Sequence, residues 1–181
     1  MNKDEALKFH QTMVSGGIFG PKLSGKTTLA KRLSSLYWHS FNQRTLCLDI
    51  NMEPWGGWVM ATDDDAKFWE LVWNTKESLI IVDEGSTTIN RDKELIPVFT
   101  RLRHLHHRLI VVGHSGTDLL PAMRRQLDTL YLFRQPKKAA EVWSYEFADE
   151  RILTAAELSQ FEFLACRIYS EPVRMKLKLA K

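Results

Sequence analysis

Cysteine is scarce in this chain, with two in 181 residues. Cys47 and Cys166 both lie in apolar runs, and neither stands in a Cys-x-x-Cys or Cys/His spacing that would hold a metal. They are expected to be buried free thiols. Long apolar runs are also missing, and nothing approaches the roughly 18 residues that cross a bilayer, so no integral membrane span is expected. The first ten residues, Met1 to His10, are charged rather than apolar, so no secretory leader is expected either. There is no internal repeat, low-complexity tract or long linker. Excess charge is small, at +3, which permits nucleic-acid binding without demonstrating it. With 181 residues and 44% hydrophobic content the chain suits one compact α/β domain over 1–181 and leaves no room for a second large one.

What is present begins with Gly20-Pro21-Lys22-Leu23-Ser24-Gly25-Lys26-Thr27, a full match to the phosphate loop, or Walker A motif, of nucleoside-triphosphate-binding proteins, with Thr28 following. The glycines let the backbone wrap with its N–H groups inward, and this anion nest runs into the positive end of the next helix. Lys26 is placed to reach the β and γ phosphates, and Thr27 to put its hydroxyl on a magnesium ion. The flanks agree with that reading. Met13 to Phe19 reads as a short buried strand, and Thr27 to Trp38 carries Leu29, Leu33 and Leu36 at helical spacing.

A second pattern supports the first. Leu79-Ile80-Ile81-Val82 is continuously apolar and ends in Asp83-Glu84, as a parallel strand buried on both faces does when its carboxyl end opens into a site. This is a Walker B strand. Asp83 is the candidate magnesium ligand, acting through water, and Glu84 the group that orients or deprotonates the attacking water. The interval from Lys26 to Asp83 has room for a helix, a strand and a second helix. No Asn-Lys-x-Asp segment is there to read guanine, so the expected nucleotide is ATP with Mg2+. No arginine-rich lid insertion is there to close over a kinase acceptor.

Strands are expected near 15–19, 45–50, 79–83, 108–113 and 129–133, with helices between most of them, which implies a parallel sheet. The loop after Asp49, Asn51 to Gly57, lies at the nucleotide edge; it is read as structural, with Trp55 and Trp58 packed over the domain, and contact with base or sugar as the alternative. Thr62-Asp63-Asp64-Asp65 reads as a helix cap rather than a metal site. His104, His106 and His107 lack spaced acidic or cysteine partners and read as polar groups at a helix end. The strand Leu109 to Val112 ends in Gly113-His114-Ser115, where a γ-phosphate sensor belongs, and His114 and Ser115 compete for that role. Gln135-Pro136-Lys137-Lys138 separates a core of about 14–135 from a C-terminal appendage of about 136–181. There, Thr154 and Glu157 suggest a capped helix start, and two strands about a turn near Glu171-Pro172 suggest a β-hairpin. The last strand alternates apolar and basic residues, as edge protection would, or a face turned to DNA.

Over roughly residues 14 to 135 the sequence resembles the FtsK-HerA branch of phosphate-loop ATPases, which includes double-stranded DNA translocases and the genome-packaging ATPases of membrane-containing viruses. The resemblance rests on both Walker elements, on Arg101-Leu102-Arg103-His104-Leu105 before a strand, and on Asp118, Pro121, Arg124 and the Leu130 to Arg134 strand in that order. Such proteins usually carry a glutamine at the sensor strand end, where this chain has Gly113-His114-Ser115. The resemblance implies a P-loop NTPase fold of the RecA/FtsK kind, with a central, mainly parallel sheet flanked by helices. It also implies a homo-oligomeric ring, commonly a hexamer, around double-stranded DNA, in the host cytoplasm or the virion, with capsid vertex or portal proteins as further partners. Each nucleotide would be completed by an arginine of the neighbouring subunit, for which Arg101 and Arg103 are the candidates and Arg124 a weaker one. The same basic helix suits DNA phosphates equally. Lys22 is a further source of charge within the loop. A motor that moves double-stranded DNA is the leading expectation; a secretion or morphogenesis ATPase acting on protein, and a nucleotide-switched interaction module, are the alternatives.

Overall fold

A computed structural model describes residues 3–83 and 96–178. Its described strands form one eight-stranded sheet in the order β3-β2-β4-β5-β1-β6-β7-β8. These are β1 Ser15–Phe19, β2 Thr45–Leu48, β3 Val59–Thr62, β4 Leu79–Val82, β5 Arg108–Gly113, β6 Thr129–Phe133, β7 Glu162–Arg167 and β8 Ser170–Lys176. Strands β3 through β6 are parallel, and β7 and β8 continue the same sheet antiparallel.

The sheet is covered on both faces, which is why its central strands read as unbroken apolar runs. Alternate residues point to opposite sides. Ile18, Ile81, Ile110, Val112 and Tyr131 face one way, against Met13 after helix α1 (Lys3–Gln11) and against Leu29, Leu33 and Tyr37 of α2 (Lys26–Phe41). Phe19, Ile80, Val82, Val111 and Leu132 face the other way. They meet Phe68 and Val72 of α3 (Asp65–Trp73), Phe99 and Leu102 of α4 (Ile96–His104), and Trp143 of α6 (Lys137–Phe147). Between β5 and β6 lie a 3-10 turn, Gly116–Asp118, and the short helix α5, Pro121–Arg124. Cys47 and Cys166 are buried free thiols, and desolvation raises both; Cys166 is pushed up to about 12.

Three local expectations are corrected. Strand β3 stands at the sheet edge where no strand was expected; three of its four residues are half-buried and Met60 is exposed, so no buried run marks it. The hairpin turn is at Ile168-Tyr169, and Pro172 lies inside β8, where an edge strand tolerates a residue with no N–H. Thr154 does not begin a helix. It sits within a 3-10 segment, Glu150–Glu157, whose cap is Asp149, and its hydroxyl donates to the Arg151 carbonyl at 2.7 Å. Gln135 and Pro136 lead from β6 into α6.

Candidate functional site

The register of β1 against β5 pairs Phe19 with Gly113, so the phosphate loop and His114 leave the sheet at the same level. Val82 pairs with Val111, which brings Asp83 to that edge as well. The loop turns through two left-handed residues, Leu23 at φ 60° and Gly25 at φ 103°, before α2 starts at Lys26. Asp83 is buried and accepts a hydrogen bond from the Thr27 hydroxyl at 3.1 Å. The Lys26 ammonium donates to the Pro21 carbonyl at 2.9 Å and so lies back across the loop. Together Lys22, Leu23, Lys26, Thr27, Asp83, Gly113 and His114 line a cleft of ≈ 310 Å³.

This geometry fits a triphosphate with magnesium. The Ser24 hydroxyl is buried in the loop without a hydrogen-bond partner, a cost that a bound oxyanion would relieve. The Thr27 hydroxyl and the Asp83 carboxylate are hard oxygen donors on one side of the cleft, the kind of pair magnesium takes beside phosphate oxygens. Two further residues of the cleft wall, Asn51 and Glu53, come from the loop after β2. That loop is built on Asp49, whose buried carboxylate accepts from the Asn51 and Glu53 N–H groups and from the Trp55 indole, each at 2.9 Å. The loop is thus ordered by its own hydrogen bonds while it reaches the cleft, and Glu53, paired with Lys31 at 2.6 Å, adds a carboxylate that sequence reasoning had not singled out. Its position just past a strand's carboxyl end was the available signal.

The C-terminal elements brace the loop from its far side. Gln160 donates to the Leu23 carbonyl at 3.2 Å, and Arg32 of α2 donates to the Lys178 carbonyl. A Cβ on Gly25 would come within 2.7 Å of Leu177, and one on Gly20 within 2.5 Å of the Phe133 Cβ. Both glycines are therefore needed for close packing as well as for their turns.

Other sequence candidates fall elsewhere. Ser115 caps the 3-10 turn, its hydroxyl accepting from the Thr117 N–H while Asp118 accepts from the Ser115 N–H. His114, by contrast, stands in the cleft wall. Arg124 is engaged by the Leu119 and Gly116 carbonyls and by Glu146 at 3.2 Å. Arg101 lies over the Trp73 ring at 4.7 Å, and α4 ends beside the amino end of β4, where Glu77 donates to the Leu105 carbonyl. Arg101 and Arg103 thus stand at the sheet edge opposite the cleft of their own subunit. Buried His107 bridges the Ser78 N–H and the Val72 carbonyl, and desolvation lowers its pKa. Glu84 lies outside the described residues.

A mainly parallel sheet with a phosphate loop after β1 and a buried Asp after β4 defines the fold of the phosphate-loop ATPases. No family model and no curated protein sequence matches the chain. Solved structures do. The genome-packaging NTPase B204 of Sulfolobus turreted icosahedral virus 2, in complex with ATP-gammaS, superposes with a TM-score of 0.75 at 18% identity, covering 92% of this chain and 98% of that one. B204, the DNA-packaging ATPase of Sulfolobus turreted icosahedral virus, gives 0.74 at 20% identity over 90% and 97%. The N-terminal domain of zonular occludens toxin from Neisseria meningitidis gives 0.57 at 15% identity over 94% and 96%. At these identities the likeness shows the fold, that of the phosphate-loop ATPases.

Proposed function

We propose that this chain is a single-domain ATPase that assembles with copies of itself into a ring and uses hydrolysis to drive double-stranded DNA, packaging a viral genome in the host cytoplasm. The observation that carries this reading is the phosphate-loop cleft, set in a fold that runs nearly end to end with a packaging NTPase. Residues 20–28 would hold the triphosphate, with Lys26 swinging from the Pro21 carbonyl onto the β and γ phosphates. Thr27 and Asp83 would hold magnesium, which supplies charge neutralisation on the phosphate oxygens. Glu84 would take the proton of the attacking water as its oxygen bonds to the γ-phosphorus. The bond from that phosphorus to the bridging oxygen breaks, and its electron pair leaves with ADP. His114 is better placed than Ser115 to sense the γ-phosphate, since Ser115 is occupied as a cap. Arg101 and Arg103 can act only in trans, as a finger from the next subunit, or on DNA.

The test is ATPase rate against protein concentration, with and without long double-stranded DNA at low and moderate salt. A steep concentration dependence with DNA stimulation supports the packaging motor. Flat, DNA-independent hydrolysis would move the reading to an ATPase acting on protein, for which capsid or membrane proteins would be the activators. The similarity to the zonular occludens toxin domain is what favours that second reading.

A further inference from the structure

A second cleft, of ≈ 570 Å³, lies directly beside the nucleotide cleft and shares His114 with it. Its other walls are Pro21 of the phosphate loop, Ser115, the segment Arg134 to Lys137, and Ala156. Three features of this corner have no explanation in the fold. Gln135 is 2% exposed, yet neither its amide nitrogen nor its amide oxygen has a partner, an arrangement that costs free energy unless something else occupies it. Helix α6, of 11 residues, opens here with no side-chain cap and no acidic residue in its first turn. Its first two residues are instead Lys137 and Lys138, cations at the positive end of a helix dipole, the reverse of the stabilising order. Arg134 adds a third cation, and among the described residues no acid lines the cleft.

We infer that this corner is a second oxyanion site, which receives the inorganic phosphate released by hydrolysis in the neighbouring cleft. The inference rests on the ATPase reading above. An anion here would be met by the Gln135 amide nitrogen, the first N–H groups of α6 and the Arg134 and Lys137 side chains, and it would turn the reversed charge order into a favourable one. The position selects the product over other phosphates. Pro21 and His114 separate this corner from the place where the γ-phosphate would sit, so a phosphate leaving past them meets this corner next. A phosphodiester of the DNA backbone shares the chemistry and is the other source to be distinguished.

Inorganic phosphate is the probe, measured by equilibrium dialysis on full-length protein saturated with ADP, so that the phosphate loop is filled. Wild-type protein should bind one phosphate per chain. Gln135→Leu and Lys137→Ala should each weaken that binding at least about tenfold. Gln135→Leu should also raise Tm, because a buried unpartnered amide is replaced by an apolar group of similar size; Lys137, being exposed, gives a second variant whose folding is not in question. Absence of phosphate binding by the ADP-loaded protein, or equal binding by the variants, would overturn the assignment. So would displacement of phosphate by a short DNA duplex, which would give the corner to the DNA backbone. An ADP titration on the same samples keeps the two readings apart. If ADP does not bind, the ATPase reading fails, whereas phosphate uptake by Lys26→Ala, with its phosphate loop disabled, still tests the corner.

Discussion

Lys26, Thr27 and Asp83 hold each other's neighbourhood in order before any nucleotide arrives, through the Lys26 to Pro21 and Thr27 to Asp83 hydrogen bonds. Lys26→Ala removes the side chain placed to move onto the β and γ phosphates, and should abolish binding of a fluorescent ATP analogue at micromolar concentration. Asp83→Asn should lower kcat by at least about 100-fold, because the charge that holds magnesium is lost. Glu84→Gln should bind ATP normally and fail to turn it over; hydrolysis at the wild-type rate would remove Glu84 from the catalytic role. A different residue sets the acid limit of the fold. His10 is buried with its ring nitrogen on the Tyr131 hydroxyl at 2.9 Å, and desolvation, helped by Arg167, lowers its pKa to about 4. The native state therefore binds this proton less readily than the unfolded chain. Stability from neutral His10 is full above about pH 6.5 and falls as pH drops toward 4, by roughly 3 kcal/mol in all. Chemical denaturation at pH 7.5 and pH 5 should show the loss, and His10→Gln should flatten it.

Among the elements, the phosphate loop and α6 depend on positions where only glycine fits. Gly25 sits at φ 103° with Leu177 beside it, so Gly25→Ala adds backbone strain to a steric clash. It should cost about 1–3 kcal/mol of stability and loosen nucleotide binding together. Gly116→Ala would place a methyl 2.2 Å from the Trp143 ring, with a similar cost in denaturant unfolding. Strand β8 shows why alternating cations near the terminus belong to an edge. Its outer side has β7 on one side only, Arg174 pairs with Glu162 at 2.6 Å, and Lys176 is exposed, charges that discourage pairing with another sheet.

For the molecule as a whole, the separation of Arg101 and Arg103 from their own cleft makes a clear prediction about assembly. Mixed with wild-type subunits, an Arg→Ala variant at a finger position should bind ATP yet depress hydrolysis more than in proportion to its share, since each copy disables a neighbour's site. A DNA-contact residue would instead lower only the DNA-stimulated rate and its salt dependence. A titration of variant into wild type at fixed total protein separates the two. Among the described residues no helix is long and apolar enough to cross a membrane.

The sequence alone determined the features written by consecutive residues. A phosphate loop binds through successive backbone groups, so Gly20 to Thr27 is legible as one string, and β4 is legible because a strand buried on both faces must be apolar throughout. From those two strings the P-loop fold and the Lys26, Thr27 and Asp83 site follow. The tertiary structure decided what depends on distant segments meeting. It placed Asn51 and Glu53 in the cleft, gave Ser115 and Arg124 to local structure, and carried Arg101 and Arg103 to the far edge of the sheet. It also gathered Pro21, His114, Gln135 and Ala156 around one corner. No spacing along the chain records these meetings, because parallel strands bring side chains together through crossovers whose lengths carry no information about their partners.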